Sequence, residues 1–437
     1  MPEGLSDAAD TLFDVLVVGG GPAGSTMAAL LAGRGEQVLL LEKDRHPRFH
    51  IGESLLPLNV PLFEELGIKP EIDRIGMPKF GVEFVSPTHN KAVTLDFAES
   101  WDKRFSYSYE VRRSEFDHIL LKNAAAKGAR VIEGCRVTAV EFPEAGGIVA
   151  TARDEDGQTR QIRAKFLVDA SGRDTLLANR MEMKQRNRKH NTAAVFGHFT
   201  GARRLPGKAA GNISIFWFDH GWFWFIPLSD ETTSIGAVCS PDFIKARKTD
   251  VTTFFRSLIA MSPALSERLA DAEMTGPATA TGNYSYCADR MSGDRFIMLG
   301  DAYAFVDPVF STGVYLAMKS AFLGVDAVST CLHEPAKGAR ALRRFESEMS
   351  RALTRFSWLI YRINRPAMRE LFLARGNRFR IKEAVLSVLS GDVFGDSPIG
   401  SRLLMFKGLY YFKTFVMGQA ARLARSRPKP LASAADA

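Results

Sequence analysis

Cysteine is scarce in this chain: Cys135, Cys239, Cys287 and Cys331 are widely spaced among 437 residues, with no CxxC pair and no Cys/His cluster. That spacing excludes a disulfide framework and a structural zinc site, so no metal is expected and a reducing cytoplasm is the expected setting. Long apolar runs are also missing. No stretch of about 18 apolar residues occurs, so no membrane-spanning helix is expected. Nothing before Phe13 reads as a basic-plus-apolar export signal. There is no internal repeat. At 46% hydrophobic and 24% charged residues the composition excludes a disordered or collagen-like chain.

Acidic residues thin out towards the C-terminus. From Arg340 onwards there are 19 Lys/Arg against 7 Asp/Glu, a net +12, whereas the preceding residues net −4 within a total of +8. An acidic partner is expected to meet the chain there, the alternatives being an anionic membrane surface, suited by the mixed aromatics and lysines from Leu403 to Val416, and a set of solvated basic helix faces. Nucleic acid is not among the expected partners.

What is present begins almost at once. Asp14-Val15-Leu16-Val17-Val18 is a short apolar run of the kind that forms a buried parallel strand. It leads into Gly19-Gly20-Gly21-Pro22-Ala23-Gly24 and a helix-forming stretch, then a second apolar run, Val38 to Leu41, ending in Glu42. Strand, GxGxxG, helix, strand and acid form a dinucleotide-binding fingerprint. Gly19 allows the turn, Gly21 admits a pyrophosphate, Gly24 lets helix and strand pack, and Glu42 is placed to accept from ribose hydroxyls. The helix N-terminus, with Ala23 in its first turn, supplies amide donors and a positive dipole.

No second strand-borne GxGxxG follows, so one dinucleotide site is expected. Two later strands, Lys165–Asp169 and Arg295–Leu299, end in tight turns with Asp169 and Asp301. Strand C-termini line the ligand crevice of a doubly wound sheet, which would place Asp301 against the cofactor. The plainer reading of either aspartate is a helix cap. Together these stretches resemble the glutathione-reductase-type FAD fold of the aromatic hydroxylases. Arg113, with Phe116 and Asp117, matches that family's R-x-x-F-D stretch.

Three further motifs narrow the resemblance. Gly52-Glu53-Ser54 follows the second strand, Trp222-Phe223-Trp224-Phe225-Ile226-Pro227 reads W-x-W-x-I-P, and Phe305 to Gly313 reads F-x-x-P-x-x-S-x-G. The chain is therefore identified as resembling the flavin-dependent halogenases from Asp14 to about Met318. The resemblance implies reduced FAD as cofactor, with Ser54 and Gly313 added to its contacts, and oxygen and chloride or bromide as co-substrates. It also implies a separate NADH-dependent flavin reductase, an aromatic small-molecule substrate that some relatives take from an acyl carrier protein, and a place in antibiotic or other secondary metabolism. Lys79, in Met77-Pro78-Lys79-Phe80-Gly81, resembles the lysine that handles hypohalous acid. As an ammonium it would hydrogen-bond the acid; as an amine, which burial favours, it could become a haloamine. Both routes stay open.

Ser311-Thr312-Gly313 runs into a helical stretch whose first amides suit an anion, so Thr312 and Gly313 are the expected halide site. Strand alternation puts Trp222 and Trp224 on one face and Phe223 and Phe225 on the other. The resemblance gives the tryptophans a gating role between flavin and substrate. Phe310 stands where tryptophan halogenases carry a glutamate, which points towards a phenol, pyrrole or polyketide-like ring. The alternative activity is a flavin-dependent monooxygenase or oxidoreductase of the same fold, such as a prenyl reductase; a flavoprotein-derived scaffold is the non-enzymatic one.

The expected fold is α/β. Residues 1–180 and 290–339 form a discontinuous FAD-binding domain, 181–289 a substrate-side β-sheet, and 340–437 a helical segment broken at Pro366 and Asp396-Ser397-Pro398, with a disordered tail from Arg425.

Overall fold

With no polar side chain from Val15 to Val18, the first strand has nothing to offer water and must be covered on both faces. In the computed structural model, which describes residues 5–187, 190–282, 285–374, 376–395 and 397–426, it lies inside an eight-stranded sheet. The strand order is Ser292–Gly293, Phe296–Met298, Thr159–Asp169, Leu12–Val18, Val38–Leu41 and Arg130–Ile132. The hairpin Cys135–Glu141 and Ile148–Asp154 pairs antiparallel with the start of Thr159–Asp169. The middle pairings are parallel, with Val15 opposite both Phe166 and Val38. Val15 and Val17 pack into one apolar cluster with Met27 and Ala28 of the helix Pro22–Ala32, while Leu16 and Val18 pack into another. Three parallel strands thus release their chain at the same edge of the sheet, through turns beginning at Gly19, Ala170 and Leu299.

The second sheet also has eight strands. Its order is Glu273–Met274, Ala193–Thr200, Thr233–Cys239, Gly221–Pro227, Ile213–Phe218, Gly81–Ser86 and Lys91–Asp96, with Thr279–Thr281 also on Ala193–Thr200. The strands Gly81–Ser86 and Lys91–Asp96 lie in this second sheet, because Val82 to Val85 pair in parallel with Ile213 to Phe216. That pairing joins segments about 130 residues apart, so local pattern could not show it.

Ile213–Phe218 and Gly221–Pro227 pair antiparallel as a hairpin, with Gly221 inside the second strand. Trp222 and Trp224 fall in the central core, while Phe223 and Phe225 fall in a separate cluster with Phe255 and Leu258. Burying each large aromatic contributes roughly 1.5–3 kcal/mol, which makes the hairpin a rigid wall between two cores.

The helix Thr312–His333 packs on Pro22–Ala32, and Pro335–Ile360 packs on it in turn. Pro366 opens the helix Pro366–Phe372 from its first turn, where its missing N–H costs nothing. Ile381–Leu389 and Gly400–Ser426 complete the expected helical segment. On Gly400–Ser426, Phe406 and Tyr410 face inward, while Leu404, Leu409, Phe412 and Phe415 remain exposed. No described helix is long and apolar enough to cross a membrane. Arg425 and Ser426, expected in the disordered tail, close the helix Gly400–Ser426; the rest of that tail, from residue 427, and Asp396 of the expected break lie outside the described residues.

Candidate active site

The strand-end turns enclose a cavity of about 860 Å³. Gly19 adopts φ +104°, and a Cβ there would stand 2.4 Å from the carbonyl oxygen of Ala170. A Cβ on Gly24 would stand 1.9 Å from the carbonyl oxygen of Gly19. Neither position admits a side chain. Gly21 differs: its nearest would-be contact is Arg48 Nη2 at 3.9 Å, and it lines the cavity. A side chain there would fit the fold and fill the cavity. The helix that follows carries Pro22 at its start and no side-chain cap among the described residues, so its first turn faces the cavity unscreened.

Glu42 is buried and lines the same cavity. Its Oε2 accepts from Gly20 N at 2.5 Å and its Oε1 from Asp44 N at 2.9 Å. The carboxylate thereby fastens the glycine turn to the second strand, a duty the sequence reading had not given it. Arg113 also lines the cavity, but its guanidinium forks onto Asp117 at 2.8 and 3.0 Å and donates to Ile51 O at 2.9 Å. It ties the helix Arg113–Ala126 to the Gly52-Glu53-Ser54 segment. Burial would raise the Asp117 carboxyl, yet Arg113 holds it below the ordinary range.

The two strand-end aspartates separate in role. Asp169 accepts from Ser171 N at 3.0 Å and Leu177 N at 2.8 Å, so it caps the next turn and short helix. Asp301 lines the cavity, and burial pushes its carboxyl up to about 7, opposed by Arg173 and Arg113.

Across the cavity, Ser311 sits in the left-handed region at φ +57° and starts the 22-residue helix Thr312–His333, with no side-chain cap among the described residues. Gly313 lines the cavity and a Cβ there would meet nothing within 4 Å, whereas the Thr312 side chain is buried. Two helix N-termini therefore converge on one space. Trp222 and Trp224 wall it as well. Trp224 donates to Ser234 Oγ at 3.2 Å and lies across Gly236, where a Cβ would stand 2.2 Å from its ring. Phe310 points away, stacked on Phe372 with centroids 6.3 Å apart.

Lys79 is buried, 2% exposed. Its Nζ donates to Ser54 Oγ at 2.7 Å and Leu55 O at 2.9 Å, lies 3.8 Å from Glu110 Oε1, and sits 5.6 Å from the Phe97 ring centroid. Ser54 lines the cavity, so one hydroxyl separates the lysine from the cofactor space. Burial lowers the Lys79 pKa, partly offset by Glu110, and burial pushes Glu110 up to about 8.

A glycine cradle, an open cavity of that volume, two helix N-termini and facing carboxylates fit FAD. A profile described as "FAD binding domain" matches residues 12–356. Flavin-dependent halogenase armH4 of Armillaria mellea is 35% identical over 376 residues, covering 78% of this chain and 70% of that protein. The chain belongs to the flavin-dependent halogenases. It is also 29% identical over 409 residues to 1H-pyrrole-2-carbonyl-[peptidyl-carrier protein] chlorinase of Pseudomonas fluorescens, covering 87% of this chain and 90% of that one. Among solved structures, the myxobacterial chondrochloren halogenase CndH superposes with a TM-score of 0.77 at 32% identity, over 92% of this chain and 97% of that one. The protein is thus an FAD-dependent enzyme that halogenates aromatic substrates.

Two residues of this halogenase, Glu110 and His198, carried no mark in the sequence motifs, while Asp117 of the R-x-x-F-D stretch gains a definite partner. Glu110 joins Lys79 through strand pairing, since Lys79 lies opposite Ser108 and Glu110 is bridged to Ser54. His198, from the second sheet, holds Glu53 Oε1 at 2.9 Å. Asp117 anchors Arg113. A carboxylate set between Tyr109 and Val111 in an apolar strand was the one local signal for Glu110.

Proposed function

We propose that this halogenase acts on an electron-rich phenol, pyrrole or polyketide-like ring offered on an acyl carrier protein, and that Lys79 handles the hypohalous acid. The observation that carries this reading is the placement of Lys79: buried, and hydrogen-bonded to Ser54, which lines the cavity.

Gly19, Gly21, Ala23, Gly24, Glu42, Ser54, Arg113, Asp301 and Gly313 hold FAD. The cofactor, when bound in its reduced form, would supply two electrons to oxygen, which takes two more from chloride or bromide to give hypohalous acid and water. The amides at Thr312 and Gly313 hold the halide at a helix N-terminus, where no basic side chain is needed. Trp222 and Trp224 keep the ring from the cofactor, so the oxidised halogen must leave its place of formation to react. Lys79 retains it by hydrogen bonding and orients it. Phe310 offers no carboxylate to assist a poorly activated ring, which suits a phenol or pyrrole. The similarity to a chlorinase of carrier-bound pyrrole and the basic C-terminal segment support a tethered substrate. Arg340, Arg343, Arg344 and Arg351 are exposed along Pro335–Ile360 and suit the acidic surface of a carrier. Reduced flavin comes from a separate NADH-dependent reductase, in a reducing cytoplasm.

The test supplies a flavin reductase, NADH, FAD, oxygen and each halide. 2,4-Dihydroxybenzoate, indole-2-carboxylate and pyrrole-2-carboxylate are offered as free acids and as carrier-bound acyl groups, with products read by mass spectrometry. Halide-dependent products from a tethered ring, lost in Lys79→Ala while reduced flavin is still consumed, are expected. Halogenation by Lys79→Ala would remove the lysine from its role; equal turnover of free acids would remove the carrier.

A further inference from the structure

Electrophilic halogenation makes two demands on protons. The oxygen leaving hypohalous acid must gain one, and the ring must lose one from the carbon that takes the halogen. Phe310 supplies neither, and its side chain faces Phe372. The Lys79 ammonium alone could meet the first demand, but burial works against keeping it charged.

The Ser108–Glu110 strand resolves this. It pairs with Met77–Lys79 on one side and is bridged through Glu110 to Ser54 on the other. Leu55 N donates to Tyr109 O at 3.0 Å and Val111 N to Glu53 O at 2.8 Å, so backbone bonds fix the three segments in register. The register sets the Glu110 carboxylate 3.8 Å from Lys79 Nζ, in a place with no access to solvent. Both carboxylate oxygens lack a hydrogen-bond partner among the described residues. A buried carboxylate held only by an ion pair at 3.8 Å costs stability and adds little to the fold, so its presence calls for a functional account.

We propose that Glu110 is the proton partner of Lys79, a positioning residue that makes the pair one unit holding a single transferable proton. This inference rests on the assignment of hypohalous acid to Lys79. The ring carbon forms its bond to the halogen as the oxygen–halogen bond breaks. The departing hydroxide takes the pair's proton and leaves as water. The ring's own proton then passes to the pair and restores it, so hypohalous acid and arene give haloarene and water. Whether the proton rests on nitrogen or on carboxylate, the pair stays neutral overall, the form that tolerates burial. Burial raises Glu110 and lowers Lys79, which brings their proton affinities together. The other charged group facing Glu110 is Glu53, whose Oε1 is occupied by His198.

The test is Glu110→Gln, which keeps the shape and removes the proton site, beside Glu110→Asp, which keeps a carboxylate. Each is assayed with the acceptor that the wild type converts best in the panel above, and a small thiol is added to capture escaped hypohalous acid. Glu110→Gln is expected to lower haloarene formed per reduced flavin by at least tenfold and to divert the oxidising equivalents to the thiol. Its high-pH limb of product yield should move to lower pH, because Lys79 has lost the neighbour that favours its charged form. Glu110→Asp should recover most of the yield and the wild-type limb. Wild-type yield and pH profile in Glu110→Gln would overturn the proposal. Failure of that variant to fold would overturn it too, by showing that the carboxylate serves the fold. If Lys79→Ala halogenates, the parent assignment falls; if Lys79→Ala is inactive and Glu110→Gln is unimpaired, only the pairing falls.

Discussion

The glycine turn at 19–24 lines the cavity, the buried pair of Lys79 and Glu110 sits against Ser54 of its lining, and the two are built by opposite means. The turn works with backbone alone: two positions where a Cβ would collide with carbonyl oxygens and one where it would protrude into the cavity. The pair works with side chains alone, set on separate strands and held apart from solvent. An anion that arrives with its own charge needs only oriented amides. A reactive neutral acid needs a group that can give and take a proton. The first site is specified by what is missing from six consecutive residues, the second by strand pairing between distant ones.

The sharpest break of this contrast is within the turn itself. Gly24→Val should cost more than about 4 kcal/mol, most of the stability of an ordinary domain, and give little folded protein by circular dichroism. Gly21→Val should unfold near the wild-type temperature yet weaken FAD binding by about 100-fold or more, roughly 3 kcal/mol, in a flavin-fluorescence titration. Equal folding of the two variants would erase the distinction between a packing glycine and a ligand glycine.

The pair can be broken through stability. A carboxyl raised in the folded state contributes stability below its unfolded value, and that contribution is lost as pH rises through the folded value. For Glu110 the window runs from 4.5 to about 8. Lys79→Met removes the cation that draws Glu110 down, so thermal stability should fall with pH more steeply and to higher pH than in the wild type. Adding Glu110→Gln should flatten the slope and restore part of a loss expected at about 3 kcal/mol. Parallel pH profiles for single and double variants would show that the two groups do not interact.

A smaller effect is expected at the aromatic wall. Trp222→Ala or Trp224→Ala should lose about 3 kcal/mol or more of stability and yield some oxygenated product in place of haloarene, resolved by mass spectrometry. The smallest is at the surface: Arg343→Glu with Arg344→Glu should slow turnover of the carrier-bound substrate severalfold at low salt and much less near 1 M, where screening is complete within about 3 Å. A salt-independent effect would mean that these arginines do not steer the carrier.

The legibility of the sequence follows the same division. The strand–turn–helix at Val15 to Ala32 and the alternation of Trp222 and Trp224 are local, and both stand in the structure as read. The membership of Gly81–Asp96 in the second sheet was not legible, because its partner Ile213–Phe218 lies far along the chain. Glu42 shows an intermediate case. Its position at the end of the second strand was legible, but its bonds to Gly20 and Asp44 depend on how the turn curls back. Glu110 and His198 were missed because each takes its meaning from a partner that tertiary pairing brings to it.

Gly236 carries a consequence for anyone rebuilding this enzyme. It lies directly across the ladder from Trp224, and its missing side chain is the space in which the indole rests. The wall is therefore a two-position unit, a tryptophan and the bare backbone it leans on. Grafting W-x-W-x-I-P onto a related oxygenase whose neighbouring strand carries any larger residue would install the ring without its seat. The motif would then be intact by sequence and open in space, so the donor fragment to transplant is the two-strand ladder from Gly221 to Cys239.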